Sequence, residues 1–178
     1  MKDLILACYR GFFNMAKSMI EKSADVNYID YDGDTPLMYA CRNGHIDIVK
    51  LLLEKGVDVN YIKTKDGNTA LTNACTGGHI DIIKLLLENG ADTNHKNNWE
   101  YDSRGDLIHY GMNALDIAVK KEDKELVKIL ILHEMKFKEV MQKNSNESID
   151  IYEILINKIK EKAIVKDIIK MKQQLELL

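Results

Sequence analysis

From Asp32 to Asn60 the chain reads D-G-D-T-P-L-M-Y-A-C-R-N-G-H-I-D-I-V-K-L-L-L-E-K-G-V-D-V-N. After a shift of 34 residues it reads D-G-N-T-A-L-T-N-A-C-T-G-G-H-I-D-I-I-K-L-L-L-E-N-G-A-D-T-N, from Asp66 to Asn94. Self-similarity at a fixed period marks a repeat architecture, in which each unit leans on its neighbours. What departs from the period is then the place to look for function.

Inside one unit the local chemistry predicts helix, tight turn, helix, loop. Thr35 is placed to cap a helix, and Pro36 stands at its first position, where a missing N–H costs nothing and φ is already helical. That helix ends near Gly44. A second, from about His45, puts Ile48, Val49, Leu52 and Leu53 on one face and turns Lys50 and Glu54 outward, until Gly56 stops it in a left-handed cap. A unit this short cannot bury enough apolar surface to offset the ordering of its backbone, so each must stack on the next.

On these residues the chain resembles the ankyrin-repeat family. The family's Thr-Pro-Leu-His becomes Thr35-Pro36-Leu37-Met38, and its Gly-His, Ile-Val and Leu-Leu pairs are all present. The likeness is strongest from Asp32 to Asn94 and covers most of the chain. It implies an all-α solenoid of stacked helix-turn-helix units with hairpin loops, and a module that binds other proteins without catalysis.

Composition agrees. The chain has 178 residues, 30% of them charged and 46% hydrophobic, with net charge −3, a balance that favours neither nucleic acid nor an anionic membrane as partner. The apolar run Leu4 to Cys8 is too short for a signal sequence and Arg10 interrupts it, and no run is long enough to span a bilayer. A cytoplasmic protein is expected. There is no glycine-rich phosphate loop, nucleophile elbow or metal-ligand cluster, so no enzyme, cofactor or metal site is expected either.

Cys8, Cys41 and Cys75 are spaced 33 and 34 residues apart and fall at one place in successive units. Stacked helices lie ~8 to 10 Å apart, while a disulfide needs Cα atoms within ~7 Å. Three small, buried, free thiols are expected. His45 and His79 recur in the same way, each with an aspartate two residues on, but no further ligand converges on them. They read as structural residues at helix starts.

In chain order, residues 1–30 form a first unit acting as an N-terminal cap, with Lys2, Asp3, Arg10 and Lys17 giving its end some polarity. Units at 31–64 and 65–98 follow, and a fourth at 109–134, where Asn113 takes the capping place of Thr69 and Glu122-Asp123 replace the Gly-His pair. The aspartates from Asp30 to Asp34 open like a calcium loop, but Thr35 and Cys41 stand where such a loop needs Gly and Glu. Solvated hairpin carboxylates are the expectation. Residues 135–178 read as a degenerate fifth repeat or helical cap, with helices near 150–160 and 162–173. The other reading is an amphipathic hairpin that docks a partner or self-associates; otherwise the chain is expected to be a monomer.

The period breaks once. Asn60 to Gly67 spans seven residues and the matching Asn94 to Gly111 spans seventeen, so ten extra residues enter the loop near 95–110. This insertion carries the chain's only Trp, Trp99, together with Tyr101, Ile108 and Tyr110, and suits a lengthened hairpin or compact surface loop. Either its aromatics fold back as a plug, or Trp99 and Tyr101 anchor a partner. Its Arg104-Gly105-Asp106 reads as an ordinary turn rather than an adhesion signal.

The resemblance further implies that a partner protein binds along hairpin tips and the exposed edge of each first helix. In this chain that edge maps to Tyr9 in the first unit and to Tyr31, Asp32, Asp34 and Arg42 in the second. The third contributes Lys65, Asp66, Asn68 and Thr76, and the fourth His109, Tyr110, Met112 and Lys120. The function read from the sequence is an adaptor or inhibitory binding module, with a secreted effector acting on a foreign protein as the alternative.

Overall fold

A computed structural model of the protein describes residues 2–98, 100–101, 107–109 and 111–141. The expected fold class is found: eight helices among the described residues, arranged as successive pairs, with one short two-stranded element in the insertion. The chain divides between Ile117 and Ala118 into two compact units.

The first unit holds three complete pairs. Helices α1 (Lys2–Arg10) and α2 (Phe13–Glu21) form the first, α3 (Pro36–Arg42) and α4 (Ile46–Glu54) the second, and α5 (Ala70–Gly77) and α6 (Ile80–Glu88) the third. First helices stack on first helices, α1 on α3 and α3 on α5, and second helices on second, α2 on α4 and α4 on α6. The core is the material between: Leu4, Leu37 and Leu71 at one register, and Ile48, Val49 and Leu52 with Ile82, Ile83 and Leu86 at the other, are all buried.

The punctuation read from the sequence holds. The Thr35 hydroxyl accepts from the Met38 N–H, Pro36 opens the helix, and Thr69 and Thr72 close a reciprocal capping box. Cys8, Cys41 and Cys75 form no disulfide and are buried in a column of small residues with Ala7, Ala40 and Ala74. Burial pushes the Cys8 thiol up to about 12, and burial with the neighbouring Cys8 raises Cys41 as well, so these are packing residues and not nucleophiles.

Successive pairs are also registered by hydrogen bonds. His45 Nε2 lies 3.1 Å from the Tyr9 carbonyl oxygen and His79 Nε2 3.1 Å from that of Arg42. Each imidazole thus serves a carbonyl left open at the end of the preceding first helix. Gly11 and Gly44 have φ of +77° and +78°, and a Cβ on either would meet the imidazole of the next pair at 2.6 Å. Glycine here is required both by the turn and by the histidine above it. On the loop side, Asn27 Oδ1 accepts from the Asp58 N–H at 2.8 Å, and Asn60 Oδ1 repeats the bond to Asp92 at 2.8 Å.

Helix α7 (Ala114–Lys120) begins with Asn113 and Asp116 capping each other. In the second unit, Glu122 takes up φ +55°, the left-handed turn made by Gly11, Gly44 and Gly78 elsewhere. Asp123 then accepts from the Leu126 N–H and opens α8 (Lys124–Met141), where Leu126, Val127 and Leu130 are buried. The turn is built differently, as the loss of Gly-His implied. The expected fifth pair at 150–173 lies outside the described residues.

Candidate partner-binding face

The loops between pairs are hairpins sharing one closing bond. Asp30 N–H donates to the Asp34 carbonyl at 3.1 Å, Lys63 N–H to that of Asn68 at 2.9 Å, and Asn97 N–H to that of Met112 at 3.1 Å. The ten extra residues therefore enter at the tip of the third hairpin and leave its base unchanged. Met112 N–H also donates to Asn97 Oδ1 at 2.6 Å, and a Cβ on Gly111 would collide with the Asn97 carbonyl. Beyond this clamp, β1 (Glu100–Tyr101) and β2 (Leu107–His109) pair antiparallel, Glu100 opposite His109 and Tyr101 opposite Leu107, with an irregularity between. The insertion is a lengthened hairpin.

Side chains tie each hairpin to the one before. Lys63 Nζ donates to Asp34 Oδ2 at 2.7 Å and lies 3.3 Å from Asp66 Oδ2. Burial alone would lower the pKa of this ammonium, but the hydrogen bond and charge of Asp34, with those of Asp66, prevail and leave it raised. One hairpin on, Asn97 Nδ2 donates to Asn68 Oδ1 at 3.2 Å, Asn98 N–H to the Asp66 carbonyl at 2.8 Å, and His95 Nε2 lies 3.0 Å from the Gly67 carbonyl oxygen.

The first-helix edge changes character from one pair to the next. Tyr9 and Tyr39 meet edge to face with centroids 5.8 Å apart, and the Arg10 guanidinium lies 5.6 Å from the Tyr9 ring centre. One pair on, Arg42 donates from Nε and Nη2 to Asn73 Oδ1 at 3.1 and 2.8 Å. Tyr39 also donates to Asp30 Oδ2 at 2.8 Å; burial first, and then this bond and the nearby aspartates, raise its pKa.

Several of the residues mapped from sequence are exposed. Tyr31 is 94% exposed at a hairpin tip, and Tyr9, Asp32, Arg42, Lys65 and Thr76 are also exposed. Asp66, Asn68 and Met112 are half-buried in the hairpin contacts described, and Lys120 is exposed at the end of α7. Asp34 is the correction. It was expected among solvated carboxylates on the exposed edge, yet it is 3% exposed, because the Lys63 side chain closes over it from the next hairpin. Asp30, too, is occupied: its Oδ1 accepts from the Asp32 and Asp34 N–H groups at 3.0 and 2.9 Å.

Tyr101 and His109 lie in the two strands. Trp99, Tyr110 and the Arg104-Gly105-Asp106 turn lie outside the described residues, so the choice between plug and anchor rests on sequence. Tyr39, Lys63, Asn73 and Asn97 were missed. The available signal was that Tyr39 and Asn73 differ at one repeat position, and that Asp30, Lys63 and Asn97 differ at another.

Among the described residues, no three His, Cys, Asp or Glu side chains gather as a metal site would need, and no helix is long and apolar enough to cross a membrane. A family model for ankyrin repeats in three copies matches residues 3–63, and a second, for ankyrin repeats in many copies, matches 44–87 and 78–131. No curated protein matches the chain significantly.

Proposed function

We propose that this chain, which belongs to the ankyrin-repeat family, binds another protein through its hairpin row and first-helix edge and performs no chemistry of its own. Repeats of this family are generally protein-interaction modules. The observation that carries the reading is the unchanged base of the lengthened hairpin: Asn97 and Met112 close it as Lys63 and Asn68 close the one before. Ten residues have been added where they disturb no stacking contact, and added segments on a rigid scaffold are a common seat of recognition.

In this reading the repeats at 1–30, 31–64, 65–98 and 109–134 each present one hairpin tip or helix edge. Within the first unit Tyr9, Tyr31, Asp32, Arg42, Lys65, Asp66, Asn68, Thr76, His109, Tyr110 and Met112 form the contact row, with Trp99 and Tyr101 as its aromatic anchors; Lys120 is a separate contact on the second unit. Asp34 leaves the row and acts from beneath it, holding Lys63. The cytoplasm is the compartment this reading favours, since three cysteines outside any disulfide suit a reducing one.

The test is affinity capture from native extract, comparing the full chain with a variant lacking residues 99–108, which removes the added tip and spares Asn97 and Gly111. A partner held by the full chain and lost by the shortened one, with helical content retained, is the expected result. Equal capture by both would remove the insertion from the binding surface. Capture unaffected by Tyr31→Ala and Arg42→Ala as well would remove the whole row.

A further inference from the structure

We propose that the first-helix edge bearing Tyr9, Arg10 and Arg42 takes an acidic segment of the partner protein, with the Arg42 guanidinium pairing one of its carboxylates. This rests on the binding reading above and adds the chemistry that the partner brings. Its basis is how Arg42 is held. One repeat on from Tyr39 stands Asn73. Where Tyr39 brings a ring against Tyr9, Asn73 brings an amide oxygen, which accepts from Arg42 Nε at 3.1 Å and Nη2 at 2.8 Å. Asn73 is 3% exposed and belongs to α5, so a rigid neighbour fixes one edge of the guanidinium and little of its freedom is left to lose on binding. The rest of the fork is open. The Arg42 side chain is 41% exposed, and its Nη1 donates to no group among the described residues.

Structural roles do not use up this cation. The carboxylate beside it is Asp34, whose Oδ1 lies 3.7 Å from Nη2, beyond hydrogen-bond distance, and Lys63 already neutralises Asp34 from 2.7 Å. A basic residue in the last turn of α3 also complements the helix dipole. Arg42, however, aims its donors at a side chain of the next pair and not at carbonyls of its own helix. Asn73 Nδ2, the other end of the same amide, is buried without a hydrogen-bond partner. Asp34 Oδ1 is the acceptor left over, so donors around Arg42 outnumber acceptors, and the group that would complete them is an oxygen.

Charge along the edge selects which oxygen. Arg10 and Arg42 end successive first helices, both exposed, and Lys65 is exposed on the following hairpin. Against them stands Asp32 at a hairpin tip, while Asp66 is half-buried beside Lys63. Cations therefore prevail here although the whole chain carries −3, a total that gives no long-range pull on a nucleic acid or other extended polyanion. A short acidic stretch of a protein fits both facts. Tyr9, 47% exposed beneath the Arg10 guanidinium, adds adjoining apolar surface, and Tyr and Arg are the residues that most often carry binding energy.

The experiment screens the full chain against an unbiased synthetic library of short peptides and measures the retained ones by fluorescence anisotropy. Retained peptides should be enriched in Asp and Glu, and replacing these by Asn and Gln should weaken binding about tenfold. Arg42→Gln should lose the same factor against the acidic peptides and nothing further against their amide forms, as a direct pair requires. Arg42→Lys, which keeps the charge without the fork, should recover part of the loss. Asn73→Ala, which frees the guanidinium and keeps its charge, should weaken binding about threefold, and Lys50→Gln, on the exposed side of α4, should change nothing. Unaltered helical content of each variant shows that folding is not what is read. Retained peptides without acidic enrichment, or bound equally by Arg42→Gln, overturn the proposal and leave the wider binding reading standing. So does a single-stranded oligonucleotide bound more tightly than the acidic peptides. An empty screen overturns it too, and capture from extract then decides separately whether the binding reading falls.

Discussion

The hairpin closed by Lys63 and Asn68 and the hairpin closed by Asn97 and Met112 have the same base and different tips. In the first, the residue that opens the hairpin is a buried cation held between Asp34 and Asp66. In the second, it is an amide that bonds Asn68 on one side and its own hairpin on the other. Charge secures the short tip and neutral hydrogen bonds secure the long one. An insertion is thus accommodated where the closing bond is repeated, whatever side chain makes the contact between hairpins.

The sharpest way to break this comparison is Lys63→Met, which leaves the buried Asp34 with only the Arg42 guanidinium, 3.7 Å away, and should cost ~3 kcal/mol in urea unfolding. The corresponding Asn97→Ala should cost about 1 kcal/mol. Equal losses would mean that the charge at Lys63 contributes nothing beyond its hydrogen bond.

The two bases should also separate with pH. Lys63 has a raised pKa in the fold, so its contribution is complete below the unfolded value near 10.5 and is lost as pH rises through the higher folded one. Cys8, Cys41 and Tyr39 are acids held neutral in the fold, so their penalty begins above their unfolded values of 9.0, 9.0 and 10.0. The unfolding midpoint should hold below about pH 9 and fall above it. The Lys63→Met penalty should shrink at the alkaline end, while that of Asn97→Ala stays constant.

Smaller effects sharpen the picture. Gly111→Ala forces a methyl against the Asn97 carbonyl and should cost ~1 to 3 kcal/mol by urea titration. Glu122→Gly relieves a left-handed glutamate and should gain up to ~1 kcal/mol in the same assay. Removing residues 99–108 should alter stability least, by under about 1 kcal/mol, since loop closure depends weakly on length. A loss of several kcal/mol would show that the added tip packs on the helices as a plug.

Much of the frame was legible in the sequence because it repeats. Thr35, Pro36, Gly56, the three cysteines and the two histidines announce their roles by recurring at one place in each unit. The contacts that join units were less legible, for a physical reason. Tyr9 meets Tyr39, Asp34 meets Lys63 and Arg42 meets Asn73 across 29 to 31 residues. Aligning repeats superimposes equivalent positions and not the non-equivalent ones that touch. Asp34 was misplaced on those grounds: within its own hairpin it is a surface carboxylate, and only the next hairpin buries it.

The central claim, that the hairpin row and its added tip are the binding surface, is tested most directly by amide hydrogen exchange of the full chain with and without its captured partner. Exchange should slow at 30–34, 63–68 and 97–112, with α4 and α6 unchanged. Slowing confined to α4 and α6, with the hairpins unaffected, would place the partner on the opposite side of each pair and contradict the claim.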